Sequence, residues 1–106
     1  MQIDLPREVI AAASELSEDT WRYFNRVDDA LMLDVGNLVQ HHVRWDGVER
    51  AIGLMRDAYE GRTKRRAPLT VRALEGGRYC VLDGNSTLTV AIAAGWSVVP
   101  CLPKAV

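Results

Sequence analysis

The stretch VLDGNSTLTVAIAAGW, residues 81–96, predicts a strand, a tight turn and a helix in immediate succession. Its apolar start is typical of a buried strand, and Gly84 and Asn85 can turn the chain sharply because both residues tolerate positive φ. Residues 86–94 then predict a short helix, which Gly95 is placed to end. The polar turn is either a plain corner with a capped helix or a cradle for an anion, since free N–H groups and the helix dipole favour phosphate.

Strand patterns flank this stretch on both sides. Residues 69–73 and 78–82 predict two strands joined by the turn Glu-Gly-Gly, and residues 97–102 predict a final strand in the same sheet. Pro100 marks that last strand as an edge or an end, because proline cannot donate a ladder hydrogen bond. Cys80 and Cys101 fall within the apolar runs, so we expect buried, free, structural thiols.

Residues 1–61 predict a helical part of the domain. A short strand at residues 2–5 precedes a helix that begins near Pro6. Ser17 predicts the N-cap of a second helix, with acidic residues in its first turn. A longer helical pattern follows through five apolar residues and is weakened by Gly36: Val27, Leu31, Val35, Leu38 and Val39.

The clearest helix is WDGVERAIGLMRDAYEG, residues 45–61. Asp46 predicts its N-cap, and Glu49 completes a capping-box spacing. Gly61 predicts its end. Four apolar residues recur on one helical face, which indicates a core helix: Val48, Ile52, Met55 and Tyr59.

The length indicates one domain over residues 1–106, and its strands beside a helical N-terminal half predict the α+β class. A cytoplasmic location fits best. No apolar run is long enough to cross a membrane, and the first residues do not resemble a signal peptide. The formal net charge of −1 hides an asymmetry, with a balance of −6 over residues 1–61 and +5 over residues 62–106. Either the C-terminal half contacts an anionic partner or the two halves neutralise each other.

The segment RRAPLTVRALEGGRYCVLDGNSTLTVAIAAGWSVVPCLP, residues 65–103, resembles the core of the ParB/sulfiredoxin-like fold. The shared features are a strand after Pro-Leu, a glycine turn, and a strand that ends in a polar loop. An alanine-rich helix, Gly-Trp, and a strand opened by Val-Val-Pro complete the pattern. The resemblance implies a small mixed sheet beside the helical part, and a polar loop that binds nucleotide phosphates.

Known variants of the family loop differ from this chain after Gly84. ParB proteins that hydrolyse CTP have Glu-Arg-Arg after that glycine, whereas this chain has Asn85, Ser86 and Thr87. Hydrolysis of the ParB kind is therefore not expected. The catalytic cysteine of sulfiredoxins corresponds to Asn85, which argues against sulfinic acid reduction. The nearest variant, Asp-Gly-Asn-His-Arg, belongs to members that are described as nucleases or nucleotide-binding domains.

The resemblance implies a nucleotide or another phosphorylated ligand, and a nucleotide with Mg²⁺ is the candidate cofactor. It assigns phosphate contacts to four loop residues: Gly84, Asn85, Ser86 and Thr87. Asp83 is then the candidate catalytic residue, as metal ligand or base, if the domain is a phosphoesterase or nuclease.

The basic run GRTKRRAPL, residues 61–69, precedes the first predicted core strand. Arg65 and Arg66 can replace the positive charge that the family has at the positions of Ser86 and Thr87, if the run folds over the loop. The alternative is a solvated linker between helix and strand. His41 and His42 are adjacent and point about 100° apart on a helix, so they predict no metal site.

Partners follow from the same features. A phosphorylated small molecule or a nucleic-acid backbone is expected, and sequence-specific DNA reading by this chain alone is not, because a helix-turn-helix is missing. The alternative function is a non-catalytic protein–protein interaction module with a degenerate phosphate site. Aromatic residues of the helical part, such as Trp21 and Trp45, would then form a partner or homodimer surface.

Overall fold

Four helices and a five-stranded mixed sheet make up the residues that the structure describes, 5–41 and 43–104 of a computed structural model. In chain order they are α1 (Arg7–Ser14), α2 (Thr20–Tyr23), β1 (Leu31–Asp34), β2 (Leu38–Val39), α3 (Trp45–Tyr59), β3 (Leu69–Ala73), β4 (Tyr79–Asp83), α4 (Asn85–Ala93) and β5 (Val98–Pro103). Short 3₁₀ turns occupy Val35–Asn37 and Glu75–Gly77. The predicted α+β class is confirmed. The strand predicted at residues 2–5 lies, except for Leu5, outside the described residues, as does His42.

The strands are ordered β1-β5-β3-β4-β2 across the sheet. β3 and β4 form an antiparallel pair around the predicted glycine turn, and β5 returns to lie parallel to β3 on its other side. The three predicted core strands and the helix after the polar loop are confirmed, with boundaries within one residue. This arrangement places the polar loop at the end of β4, beside the start of β3.

The predicted helical character of residues 27–39 is wrong. Leu31–Asp34 is strand β1, which pairs antiparallel with β5, and Leu38–Val39 is strand β2, which pairs parallel with β4. Without these strands, β5 and β4 would each have an outer edge of unpaired backbone groups beside the core, which is costly. Tertiary pairing therefore overrides a local apolar spacing that also fits a helix.

Pro100 was predicted to mark an edge or an end, but β5 lies inside the sheet between β1 and β3. The pairing with β3 begins only at Cys101, whereas Pro100 pairs with Met32 of β1 alone. The missing N–H of proline thus falls where one side of the strand is still unpaired.

The N-cap predicted at Ser17 is wrong, because α2 begins only at Thr20. The Ser17 carbonyl oxygen instead accepts a 2.8 Å hydrogen bond from the Tyr23 hydroxyl. The Glu18 carboxylate, predicted in a helical first turn, accepts the backbone N–H groups that lead into β5, those of Ser97 and Val98, at 2.9 and 3.3 Å.

Helix α3 is confirmed, and so is its end, where Gly61 has φ +78°. Its predicted N-cap is wrong by two residues. Arg44 holds the cap position, and Asp46 lies within the first turn, where its carboxylate accepts the N–H of Gly47 at 2.9 Å.

The core lies between one face of the sheet and the helices. Val48, Ile52 and Met55 of α3 are buried there, together with Leu88 and Val90 of α4. The predicted burial of both free thiols, Cys80 and Cys101, is confirmed. Within the part of the chain that the structure describes, none of the helices combines the length and the apolar character needed to cross a membrane.

Candidate functional site

Gly84 forms the turn between β4 and α4. Its φ of +101° lies in the left-handed region, and a Cβ there would approach Cγ of the buried Leu69 to 2.8 Å. Both observations require glycine. The turn brings the start of α4 against β3, and the first helical hydrogen bond runs from the Leu88 N–H to the Gly84 carbonyl oxygen, at 2.9 Å.

The basic run before β3 folds over this turn. Nε of Arg66 donates a 2.9 Å hydrogen bond to Oγ1 of Thr87, in the first turn of α4. The run is held from its other side by the end of α2. The Arg66 N–H donates to the Tyr23 carbonyl oxygen and the Asn25 N–H to the Arg66 carbonyl oxygen, each at 2.8 Å. The segment is therefore anchored to the fold, unlike a solvated linker.

The run, the turn and the helix start enclose a pocket of about 370 Å³. Its lining combines three basic side chains, one carboxylate, two polar side chains besides Thr87, and an apolar wall. The lining residues are Asn25, Leu54, residues 63–68 (which include Lys64, Arg65 and Arg66), Asp83, Gly84 and Thr87. We call this the loop pocket.

Arg66 is the half-buried cation of the loop pocket. Burial lowers the pKa of its guanidinium, and the negative charge of Asp83 partly offsets that effect. Arginine nonetheless stays charged in proteins, because its usual pKa lies far above neutral pH. Among the described residues, no carboxylate lies within ion-pairing distance of Arg66. A half-buried cation without a close counter-ion favours the binding of an anion.

Two predicted ligand side chains face away from the loop pocket. The Asn85 side chain bridges β4 and the segment after β2, since its Oδ1 accepts the His41 N–H at 2.9 Å and its Nδ2 donates to the Val81 carbonyl oxygen at 3.2 Å. The Ser86 hydroxyl points toward α3, where it lies 3.2 Å from the position of a Cβ on Gly47. Only the backbone N–H groups of these two residues remain at the helix start.

The structure thus brings together five of the predicted site residues, namely Arg65, Arg66, Asp83, Gly84 and Thr87. It adds Asn25, Leu54 and Lys64, which the sequence analysis had not assigned to a site. Lys64 belongs to the quoted basic run and carried a charge signal. Neither Asn25 nor Leu54 carried a sequence signal, because only the tertiary fold brings α3 and the segment after α2 to the loop.

Among the residues that the structure describes, Asp83 is the only carboxylate that lines the loop pocket. Mg²⁺ is commonly held by one or two carboxylates together with substrate phosphates and water, so Asp83 could supply one ligand to an ion that arrives with a nucleotide. The described residues contain no group of three or more His, Cys, Asp or Glu side chains suited to a metal ion.

Comparison with known proteins shows the fold. No protein-family model and no curated protein matches this sequence. Among solved structures, the chain is similar to SbnI with C-terminal truncation from Staphylococcus aureus, with a TM-score of 0.60 and 24% sequence identity. The match covers 74% of this chain and only 31% of that chain. SbnI is a ParB-like protein, so the chain has a ParB-like fold, as its resemblance in residues 65–103 implied.

Proposed function

We propose that this ParB-like domain binds a phosphorylated small molecule, with a nucleotide as the preferred class, in the loop pocket. The observation that carries the proposal is the placement of Arg66. Its guanidinium is half-buried, bonded to Thr87 at 2.9 Å, and directed to the start of the nine-residue helix α4. A phosphate bound there would contact a fixed cation and the first-turn N–H groups together.

The donors of Arg66 support a two-point contact with phosphate. A guanidinium has five N–H donors, and the contact with Thr87 uses the one on Nε. No hydrogen bond to another described residue uses the donors on the two terminal nitrogens, so they can contact phosphate oxygens. Such charge-assisted bonds are about twice as strong as neutral ones. The helix terminus adds about 0.3–1 kcal/mol for an exposed anion, and up to about 2 kcal/mol when it is partly buried.

The apolar wall favours a nucleotide over inorganic phosphate. Leu54 is 40% exposed and lines the loop pocket together with Pro68. Ligand pockets typically measure about 300–1,000 Å³, and the loop pocket falls at the lower end of that range. A base or sugar can cover Leu54 while the phosphates lie beside Arg66. Asp83 then faces a ligand hydroxyl or a Mg²⁺ ion carried by the phosphates.

The proposal is one of binding and not of hydrolysis. Metal-assisted phosphoester cleavage commonly uses two metal ions that clamp the attacking and leaving oxygens, and several carboxylates hold them. The loop pocket contributes Asp83 alone. The same titrations can be followed for product release, so phosphoesterase or nuclease activity would be detected if it occurred.

Calorimetric titration with nucleoside triphosphates, with and without Mg²⁺, tests the proposal. Arg66→Ala removes a charge-assisted contact worth about 1.5–3 kcal/mol, so we expect the Kd to rise roughly 10- to 100-fold. Arg78→Ala is the matched control, because Arg78 is exposed and lies outside the loop pocket, and its loss changes the net charge equally.

Equal losses in Arg66→Ala and Arg78→Ala would mean general charge attraction and would refute a site at the loop. Absence of any nucleotide binding by the parent protein would refute the proposal altogether. Light scattering on the same samples would then examine the alternative, an interaction module that forms a homodimer.

A further inference from the structure

A thiol and an imidazole lie together on the opposite side of the polar loop from the loop pocket. Sγ of Cys80 in β4 is 3.2 Å from Nε2 of His41, which follows β2, and the two atoms share a hydrogen bond. His41 is exposed, whereas Cys80 is buried with 7% of its surface accessible. The imidazole therefore connects a nearly covered sulfur atom with solvent.

The backbone around His41 is fixed by α4. The His41 N–H donates to Oδ1 of Asn85, and the side-chain amide of Gln40 donates both to the Asn85 carbonyl oxygen, at 3.1 Å, and to Oγ1 of Thr89. Parallel pairing of Val39 with Cys80 sets the register of the same segment. The imidazole is thus positioned over the sulfur by the fold.

A cationic group comes from the strand on the other side. Arg72 of β3 is the direct cross-strand partner of Cys80, and paired residues of antiparallel strands have Cβ atoms about 4.5–5.5 Å apart on the same face. Arg72 is exposed. His41, which follows β2, and Arg72 of β3 are therefore the titratable and charged groups that the two neighbouring segments bring to Cys80.

The second cysteine provides a comparison inside the same chain. Cys101 in β5 has no accessible surface, and its Sγ donates to the Val99 carbonyl oxygen at 3.6 Å. Burial raises the pKa of the Cys101 thiol to about 12. Cys101 thus has the surroundings of a structural thiol, whereas Cys80 has a base at hydrogen-bond distance and a guanidinium on the neighbouring strand.

We propose that Cys80 is a site of reversible modification, at which His41 assists thiol–disulfide exchange with a small anionic disulfide. The inference is independent of the proposed phosphate site. The anionic class follows from Arg72 and from the positive balance of residues 62–106. The small size follows from the limited exposure of the sulfur.

The exchange is balanced without a further reagent. Nε2 of His41 takes the proton of the Cys80 thiol, and Sγ attacks one sulfur of the disulfide. A bond forms between Sγ and that sulfur while the original S–S bond breaks, and the electron pair departs with the other sulfur as a thiolate. This leaving thiolate takes the proton from the imidazolium. Cys80 is oxidised to a mixed disulfide, and the released sulfur is reduced to a thiol.

The experiment uses dithiobis(nitrobenzoate), a dianionic aromatic disulfide, on the native protein. We expect one rapid equivalent of released thiolate, with the adduct mapped to Cys80 by mass spectrometry. Cys101→Ala should keep this rapid phase, and Cys80→Ser should lose it. His41→Ala should slow it roughly tenfold to thirtyfold near neutral pH, because an unassisted thiol is ionised there only to about a few per cent. That difference should shrink above about pH 8.5, where free thiols ionise without help.

Arg72→Ala separates charge recognition from general access. It should slow the reaction with the dianionic reagent and leave the reaction with uncharged dithiodipyridine close to the parent rate. Unfolding midpoints of all variants show whether each remains folded, and His41→Gln replaces His41→Ala if the latter does not. The proposal is overturned if neither thiol reacts before the protein unfolds, or if the rate in folded His41 variants equals that of the parent at every pH.

Discussion

The two sides of the polar loop have different surroundings, although both consist of short polar residues. On one side Asp83, Gly84 and Thr87 face the basic run. On the other side the Asn85 amide bonds to β4 and to His41, which follows β2, and Ser86 faces α3. Consecutive residues at a helix start point about 100° apart, so they cannot all reach one ligand. A run of polar residues therefore predicts a turn more reliably than it predicts a list of ligands.

We call the side of Asn85 and Ser86 the structural side, and the side of the proposed phosphate site the binding side. The structural side supports the binding side, because Asn85 connects the start of α4 to β4 and to the segment after β2, and Gly84 lets that start pack against Leu69. These contacts hold Thr87 where it can orient Arg66. Substitutions on the structural side should therefore lower stability, and substitutions on the binding side should lower affinity.

The largest effect is expected for Gly84→Ala. The left-handed backbone costs a non-glycine residue about 1–2 kcal/mol, and the 2.8 Å approach to Leu69 adds an overpacking cost of about 1–3 kcal/mol. We expect the free energy of unfolding in urea to fall by about 2–5 kcal/mol. Gly77→Ala is the matched control, since Gly77 has φ +77° with open space around its Cβ position. A similar loss in both variants would show that the Leu69 contact costs nothing.

Asn85→Ala should have the next largest effect. It removes the acceptor of the His41 N–H and the donor to the Val81 carbonyl oxygen, each worth about 0.5–1.5 kcal/mol. Chemical denaturation should show a loss of about 1–3 kcal/mol, while the Kd for nucleotide stays close to that of the parent. Asn85→Asp keeps the acceptor and should lose only part of this stability. A large drop in affinity without loss of stability would place the Asn85 side chain on the binding side.

Residues 69–103 could be predicted from the sequence because their signals are local. The glycine turn joins β3 and β4, which are neighbours in the sheet, and Gly84 and Gly95 mark both ends of α4. Strand β1 could not be predicted in the same way. Its partner β5 lies near the other end of the chain, and the spacing of Val27, Leu31 and Val35 also fits a helix.

The candidate site was predictable in part for the same reason. The basic run and the polar turn are both visible in the sequence. The loss of positive charge at Ser86 and Thr87 predicted that Arg66 of the basic run would lie beside the turn. The backbone bonds of Arg66 to Tyr23 and Asn25 had no sequence signal. The orientation of Asn85 depends on where α4 begins, and a shift of one residue rotates its side chain by about 100°.

Thr87→Val tests the orientation of Arg66 with a smaller expected effect. The substitution keeps the shape of the buried side chain but removes the hydroxyl that accepts from Nε at 2.9 Å. A hydrogen bond of this kind contributes about 0.5–1.5 kcal/mol, so the calorimetric Kd should rise roughly 2- to 10-fold. In the Arg66→Ala background the same substitution should have little further effect. If Thr87→Val lowered the nucleotide affinity equally in the parent and in the Arg66→Ala variant, Thr87 would contact the ligand directly.

The smallest effects are expected on the side that faces α3. Ser86→Ala should change stability by at most about 0.5 kcal/mol and leave the nucleotide Kd unchanged, because its backbone N–H remains at the helix start.

Gly47→Ala tests the contact between Ser86 and α3. The substitution reduces the backbone freedom of the unfolded chain, which stabilises the protein by roughly 0.4–1 kcal/mol, but the new Cβ would crowd the Ser86 hydroxyl at 3.2 Å. Gly47→Ala should therefore stabilise the Ser86→Ala variant by about 0.5 kcal/mol more than it stabilises the parent protein. A coupling of this size is typical of residues in contact. Urea unfolding of the two single variants and the double variant measures this coupling. If the effects of the two substitutions were strictly additive, Ser86 would not face α3. If Ser86→Ala lost nucleotide affinity, its side chain would contact the ligand.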